Sequence, residues 1–136
     1  MKRVFVDSGA FFALAVADDD SHLAAKSVFT QAAAERWQLF TTNVVVIETY
    51  ALFLSRTRQR RAAAIEFLDR LERAAIRVER ARIADEQRAI ALVRAHTDKT
   101  YSLCDALSFV VMERLGITDA IAYDRDFREY GRFALL

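Results

Sequence analysis

Short apolar runs alternate with longer amphipathic segments along the whole chain. Runs of four or five residues rich in Val, Ile, Phe and Leu predict buried strands, whereas apolar residues spaced three and four apart predict helices. The predicted strands cover residues 3–6, 37–41, 76–79, 120–123 and 132–135. The predicted helices cover residues 10–17, 23–34, 43–56, 61–74, 83–95 and 103–115, and Thr42 or Asn43 is expected to cap the third of them.

Single strands separated by helices favour parallel pairing through right-handed crossovers. We therefore expect an α/β fold of three layers, in which an open, twisted parallel sheet of four or five short strands carries helices on both faces. The length of 136 residues suits one domain, and with 3 Gly and no Pro the composition signals no linker. Residues 1–136 are accordingly predicted to form a single domain.

Composition also bears on the compartment. The single cysteine excludes an internal disulfide, and the opening residues lack the apolar core of a secretory signal peptide. No apolar run reaches the roughly 18 residues that a membrane-spanning helix needs. The expectation is a cytoplasmic protein with no membrane partner.

The charge balance neither requires nor forbids a polyanionic partner, because the formal net charge is only +1. The densest basic cluster falls between two predicted helices and consists of Arg56, Arg58, Arg60 and Arg61. Arginine is suited to bidentate phosphate contacts. The cluster is either a contact for RNA or a solvated helix junction, and the sequence leaves both interpretations open.

Four acidic residues lie at or inside apolar runs, where an unpaired charge costs several kcal/mol. They are Asp7, Glu48, Asp105 and Asp124. Glu48 is the hardest to explain by local structure, because its helical neighbours at three and four positions, residues 44, 45, 51 and 52, are all apolar. Some other group is expected to compensate these charges.

Ligands of open parallel sheets collect beyond the carboxyl ends of the strands, and the four acids map to that edge. Two carboxylates about 4 Å apart repel by roughly 4 kcal/mol at an effective dielectric of 20, so a tight cluster must bind protons or cations. Oxygen donors alone favour Mg²⁺ or Mn²⁺. His22 and His96 are the only histidines, which argues against zinc.

Structural roles compete with metal binding at three of these positions. Asp7 is placed to cap the helix that follows it, since Asp is a favoured N-cap residue. Asp105 follows Ser102 at the spacing of a capping box, and Asp124 precedes Arg128 by the four residues of a helical ion pair. The metal hypothesis gains weight because all of these local explanations would have to hold together at one edge.

Four segments that contain these acids carry a family resemblance spanning nearly the whole chain. They are residues 4–10 (VFVDSGA), Thr42 with residues 46–48 (VIE), residues 101–108 (YSLCDALS) and residues 122–127 (AYDRDF). Together they resemble a PIN domain, most similar to the VapC-type ribonuclease toxins of type II toxin–antitoxin systems. The chain departs from many relatives at Ala122, where they place a Thr two residues before the last acid.

The resemblance implies a parallel α/β sheet and an acidic site that cleaves RNA with Mg²⁺, for which Mn²⁺ substitutes. It assigns metal binding and catalysis to Asp7, Glu48, Asp105 and Asp124, with Asp126 as a further candidate ligand. It also places the hydroxyls of Ser8 and Ser108 beside the acids. The partners that it implies are an RNA substrate, a second copy of the chain in a homodimer, and a small antitoxin whose tail covers the acidic site.

Other functions stay open at this stage. A PIN-like module that binds RNA or protein without cutting it would share the fold, and a housekeeping RNA-processing nuclease would share the chemistry. A thiol hydrolase would instead use Cys104 with His96 or His22 as its base. A lone cysteine in an apolar helix is usually a small core residue, which disfavours this last class.

Overall fold

The computed structural model describes residues 1–136 and contains five strands and seven helices. All strand pairs are parallel. The strands are β1 (Arg3–Val6), β2 (Gln38–Thr42), β3 (Ile76–Glu79), β4 (Asp119–Ile121) and β5 (Ala134–Leu135). The helices are α1 (Ser8–Ala15), α2 (His22–Ala34), α3 (Asn43–Arg56), α4 (Arg61–Arg73), α5 (Ile83–Ala95), α6 (Leu103–Leu115) and α7 (Arg125–Tyr130).

The central strand of the sheet is β1, within the order β3-β2-β1-β4-β5. Its apolar residues Val4, Phe5 and Val6 are all 0% exposed. Because neighbouring side chains of a strand point to opposite faces, their complete burial means that both faces of the sheet are covered. The predicted three-layer parallel α/β fold is confirmed.

The boundaries differ from the sequence prediction mainly near the C-terminus. The predicted strand at 120–123 is observed at Asp119–Ile121, the one at 132–135 shrinks to Ala134–Leu135, and α7 between them was not predicted. A helix of six residues is too short to show helical periodicity, which explains why α7 was missed. At the N-terminus, α1 begins at Ser8, two residues before its predicted start.

The strand register brings the ends of three strands to one level. Phe5 pairs with Phe40, and Thr42 pairs with Glu79, so Asp7, Thr42 and Glu79 lie in one row across β1, β2 and β3. The N–H of Asp7 also donates to the carbonyl of Ile121, the last residue of β4. The carboxyl ends of the strands thus form a common edge at which Asp7 stands near the centre.

Helix α3 starts at this edge because Thr42 ends β2 and caps the helix. Its Oγ1 accepts a hydrogen bond from the N–H of Val45 at 3.1 Å, as the sequence predicts for a cap at this position. Glu48 therefore lies in the second turn of α3, close to the carboxyl edge. The helices are all too short or too polar to cross a bilayer.

A partly buried charge network, in which only Asp85 is fully buried, joins α6 to the connection between β3 and α5. Arg114 donates two hydrogen bonds of 2.9 Å to the carboxylate of Asp85 and one of 3.0 Å to Glu79. Burial by itself would raise the pKa of Asp85, but the hydrogen bonds from Arg114 and from the N–H of Arg82 outweigh it and lower this pKa. Arg114 fixes the β3–α5 connection against the helix that carries Asp105.

Candidate metal centre

Three of the predicted acids meet at the carboxyl edge of the sheet. Asp7 follows β1, Asp124 precedes α7, and Asp105 lies in the first turn of α6. Each offers a carboxylate oxygen, and these three oxygens all lie within 4.8 Å of one another. Residues almost 120 positions apart thus form one cluster, because parallel strands bring their carboxyl ends to the same side.

Asp7 occupies the N-cap position of α1 but does not act as a cap. Its side chain accepts no capping hydrogen bond, and its Oδ1 is buried without any partner. The residue is only 1% exposed. Burial raises the pKa of Asp7 to about 7 against the opposing effect of the Ser8 N–H, and the charges of Glu48, Asp124 and Asp126 add to the rise. The capping role is therefore absent, and Oδ1 of Asp7 remains an unpaired buried acceptor.

Asp105 is placed by a helix cap and then left without a partner. Its N–H donates to the Oγ of Ser102 at 3.0 Å, which starts α6 and directs the acid toward the strand ends. The side chain is 2% exposed, and its Oδ2 has no hydrogen-bond partner. Burial and the neighbouring charges of Asp7 and Asp124 raise the pKa of Asp105.

Glu48 approaches the cluster from α3 and lies outside the group of three oxygens. The hydroxyl of Ser8 donates to Oε1 of Glu48, so the polar role predicted for Ser8 has a direct contact. The charge of Glu48 is also close enough to raise the pKa of Asp7. No cation pairs with Glu48, and its neighbours are this hydroxyl and the Cys104 thiol.

Asp124 lies at the exposed side of the cluster and begins α7. Its Oδ1 accepts the N–H of Asp126 at 2.6 Å, and no ion pair joins it to Arg128. Asp126 turns inward, where its carboxylate accepts the N–H of Ser102 at 3.1 Å. Asp126 therefore braces the start of α6, and only Asp124 adds an oxygen to the group of three.

Ser108 and Cys104 are both near the acids but differ in their contacts. The Ser108 hydroxyl donates to the carbonyl of Cys104 within α6, and it makes no hydrogen bond to an acid. The Cys104 thiol is half-buried beside Glu48, a position that sequence reasoning treated as simple core. The sequence signal for a position near the acids was that Cys104 directly precedes Asp105.

A thiol hydrolase is not supported by this geometry. Burial, and then the negative charge of Glu48, raises the pKa of the Cys104 thiol far above its ordinary value, which disfavours the reactive thiolate. Neither histidine is hydrogen-bonded to it, since Nδ1 of His22 bonds the carbonyl of Ala13 and Nδ1 of His96 bonds that of Leu92. Cys104 therefore has no histidine base to activate it.

The cluster has the donor set that a divalent cation requires. It offers several carboxylate oxygens and no imidazole, which suits Mg²⁺ or Mn²⁺ rather than zinc. The buried oxygens Oδ1 of Asp7 and Oδ2 of Asp105 lack any other partner. A bound cation would satisfy both orphaned acceptors and relieve the mutual repulsion, so the residues present fit such an ion.

The raised pKa of Asp7 predicts how the stability of the metal-free protein depends on pH. An acid with a folded pKa near 7 and an unfolded pKa of 3.8 binds more protons in the folded state between these values. Stability must therefore fall as pH rises through this window, by at most roughly 4 kcal/mol from Asp7 alone. Urea unfolding in EDTA at pH 5 and pH 7.5 should show this fall, and Asp7→Asn should reduce it. An equal fall in both proteins would contradict the assignment.

The chain was then compared with known proteins. The PIN domain family matches residues 4–133. The 23S rRNA-specific endonuclease VapC20 of Mycobacterium tuberculosis, in strains CDC 1551 / Oshkosh and ATCC 25618 / H37Rv, is 36% identical over 128 residues, which cover 94% of both proteins.

Solved structures agree with this match. The crystal structure of M. tuberculosis VapC20, described as a sarcin-ricin loop cleaving toxin, superposes with a TM-score of 0.87 at 30% identity and covers 97% of this chain and 98% of that one. VapBC2 from Rickettsia felis, bound to a DNA fragment from its promoter, gives a TM-score of 0.70 at 10% identity, with 98% and 97% covered. The second likeness supports the fold alone.

Proposed function

The chain belongs to the PIN domain family, and from this premise we propose that it is a metal-dependent endoribonuclease and the toxin of a toxin–antitoxin pair. The observation that carries the proposal is the cluster of Asp7, Asp105 and Asp124, in which two buried carboxylate oxygens have no partner. In a module that binds no metal and cleaves no RNA, nothing would offset the free-energy cost of burying these carboxylates. We propose that residues 1–136 work as one PIN domain.

We propose Mg²⁺ as the natural ion, with Mn²⁺ as a substitute, held by Asp7, Asp105 and Asp124, and by Glu48 directly or through water. An ion held by these residues would supply an activated water and a positive charge to neutralise the phosphodiester. The buried Asp7 and Asp105 are fixed by β1 and by the α6 cap, so they define the position of the site. Asp126 would assist by holding the start of α6 against Asp124.

Glu48 and Asp124 differ from the buried pair in what they can do. Glu48 is oriented by Ser8 and stands at the side of the cluster, where a carboxylate can orient the attacking water. Asp124 is exposed and faces the solvent side from which a phosphodiester must approach. The Ser8 hydroxyl thus positions Glu48, and we assign Ser108 only a supporting role within α6.

The substrate is proposed to be a single-stranded region of RNA, and the relatives point first to ribosomal RNA. Labelled total RNA and isolated 23S rRNA should be incubated with the protein in Mg²⁺ or Mn²⁺, and the new ends mapped. Cleavage that appears with metal and disappears with EDTA is the expected result. RNA that stays intact in both metals would instead favour the silent binding module. Cleavage of many RNAs without selectivity, at a low enzyme concentration, would favour a processing nuclease.

A homodimer is proposed because an apolar surface stays exposed on α3, α5 and α6. Ile83 is 75% exposed, Leu103 54%, Ile47 67% and Ile90 37%. Ile83, Ile90 and Leu103 line one depression with Val44, so the side chains form a continuous patch rather than scattered positions. Contiguous exposed apolar surface of this kind typically marks an interface.

The variant Ile83→Glu tests this dimer face. The charge should turn the dimer into a monomer in sedimentation equilibrium, because it would be buried without a partner in the interface. Glu at the first position of α5 also suits the helix dipole, so the fold should survive. Leu23→Glu is the matched control, since Leu23 is 79% exposed on α2, outside the patch. A dimer that persists in Ile83→Glu would refute the assignment, and a dimer lost only in Leu23→Glu would place the interface on α2 instead.

The antitoxin is proposed to use a second surface. An apolar groove with a volume of about 1060 Å³ runs between α1, α2, α3 and α4 and is lined by Phe29, Trp37 and Phe67. Its rim carries Arg36 and Arg58, so an apolar segment with acidic flanks would fit it. The antitoxin tail would extend from there to the acidic site. We propose a cytoplasmic location, because an RNA substrate and an antitoxin would both be encountered there.

A further inference from the structure

Exposed arginines stand on both sides of the acidic cluster at the carboxyl edge. Arg80 and Arg82 follow β3, and Arg125 and Arg128 lie in α7 directly after Asp124. Arg80, Arg82 and Arg128 form no ion pair, and Arg125 has only a 3.4 Å contact with Glu129 on an exposed surface. Arg80 and Arg128 therefore have no acidic partner, Arg82 acts on the nearby Asp85 by its charge alone, and the exposed contact of Arg125 is weak enough to be exchanged for a ligand.

The segment that carries Arg80 and Arg82 is fixed by its backbone. The N–H of Ala81 donates to Oδ1 of Asn43, the first residue of α3, at 2.9 Å. The N–H of Arg82 donates to Oδ2 of Asp85, also at 2.9 Å. The backbone between two unpaired cations is thus anchored at successive residues, so the starting points of both side chains are held in place.

The partly buried charge network of Arg114 ties this segment to the acidic site. Glu79 and Asp85 flank the segment, and Arg114 of α6 binds both of them. Helix α6 also carries Asp105 in its first turn. The segment and the acid therefore belong to one rigid unit, which sets the distance between the cations and the cluster.

The register gives the scale of that distance. Glu79, the residue before Arg80, is level with Asp7 but two strands away, and neighbouring strands are about 4.8 Å apart, so the separation is roughly 10 Å. A fully extended arginine side chain spans much of this distance. On the other side, Arg125 is adjacent in sequence to Asp124, so the cluster lies between the two arginine pairs.

We propose that the RNA backbone runs along the carboxyl edge, with Arg80 and Arg82 holding phosphates on one side of the cleaved bond and Arg125 and Arg128 on the other. This inference rests on the proposed function and deepens it. An acidic cluster repels a polyanion, so cations on both sides are needed to guide the strand across it. Arginine is the side chain best suited to such phosphate contacts.

Three double variants test the path: Arg80→Gln with Arg82→Gln, Arg125→Gln with Arg128→Gln, and the control Arg73→Gln with Arg94→Gln. Arg73 and Arg94 are exposed, unpaired and at the far ends of α4 and α5. Binding of a labelled single-stranded RNA is measured by anisotropy in EDTA at several salt concentrations. Each edge pair should weaken binding roughly tenfold and lower the salt slope by about 1.4, and the control pair should do neither.

The outcomes separate this proposal from the proposed function. Equal weakening by all three variants would show that only overall charge matters and would overturn the path, as would unchanged binding by both edge pairs. Loss of the dimer in the Arg80 and Arg82 variant, measured by sedimentation, would assign those residues to the interface instead. If the wild-type protein binds RNA but never cuts it, the nuclease proposal fails while the salt slopes still decide the path.

Discussion

Replacing Asp105 with Asn is expected to lower the rate of RNA cleavage by on the order of a thousandfold. The amide keeps the shape of the side chain but removes the negative charge and half of its acceptor capacity. Asp105 is 2% exposed and held by the α6 cap, so no neighbouring acid can move into its place. The measurement is the initial rate of RNA cleavage in Mg²⁺ at saturating protein.

A second measurement separates loss of metal binding from loss of the fold. In EDTA, Asp105→Asn should be more stable than the wild type near neutral pH, because the buried carboxylate with a raised pKa is removed from beside Asp7 and Asp124. Mn²⁺ should raise the melting temperature of the wild type but not that of the variant. Thermal melts with EDTA and with Mn²⁺ measure both effects.

The control for this experiment is Asp69→Asn, which removes an acid from the exposed surface of α4. Its cleavage rate and its stabilisation by Mn²⁺ should match the wild type. If Asp105→Asn retains cleavage within a few-fold of the wild type, the acids are structural and the proposed metal site is wrong. If it loses cleavage but keeps the Mn²⁺ stabilisation, Asp105 acts on the substrate and not on the ion.

Local sequence pattern was sufficient for much of the fold and for the identity of the clustered acids. Asp7, Asp105 and Asp124 could be placed at one edge because each adjoins an apolar element, and parallel sheets align the ends of such elements. Their local alternatives could be judged only in three dimensions. The structure shows that Asp7 makes no capping bond and that Asp124 does not pair with Arg128.

Contacts between distant segments were beyond the reach of the sequence pattern. The contact of Ser8 with Glu48 joins residues 40 positions apart, and that of Arg114 with Asp85 joins residues 29 positions apart. Asp85 is an acid in the first turn of α5, a position that is usually exposed, yet it is 1% exposed. Its burial depends on how α5 packs on α6, which helical periodicity alone does not specify.

Arg114→Ala is expected to reduce the free energy of unfolding by about 3–5 kcal/mol. The change leaves the carboxylate of Asp85 buried with only the N–H of Arg82 as a partner, and it also releases Glu79. Urea unfolding at pH 7 measures the loss. Arg70→Ala is the matched control, because Arg70 forms a 2.8 Å ion pair with Glu66 at an exposed site, where removal should cost less than about 1 kcal/mol.

A double variant shows whether the cost comes from the stranded charge. If it does, Arg114→Ala combined with Asp85→Asn should be more stable than Arg114→Ala alone, since a neutral amide is less costly to bury than an unpaired carboxylate. The lowered pKa of Asp85 adds a pH test, because the stability that it provides is present above pH 3.8 and is lost as pH falls through the folded pKa. The difference in the free energy of unfolding between the wild type and Arg114→Ala should therefore become smaller at acidic pH. A gap that stays constant with pH would mean that Arg114 stabilises the fold by packing and not by its charge.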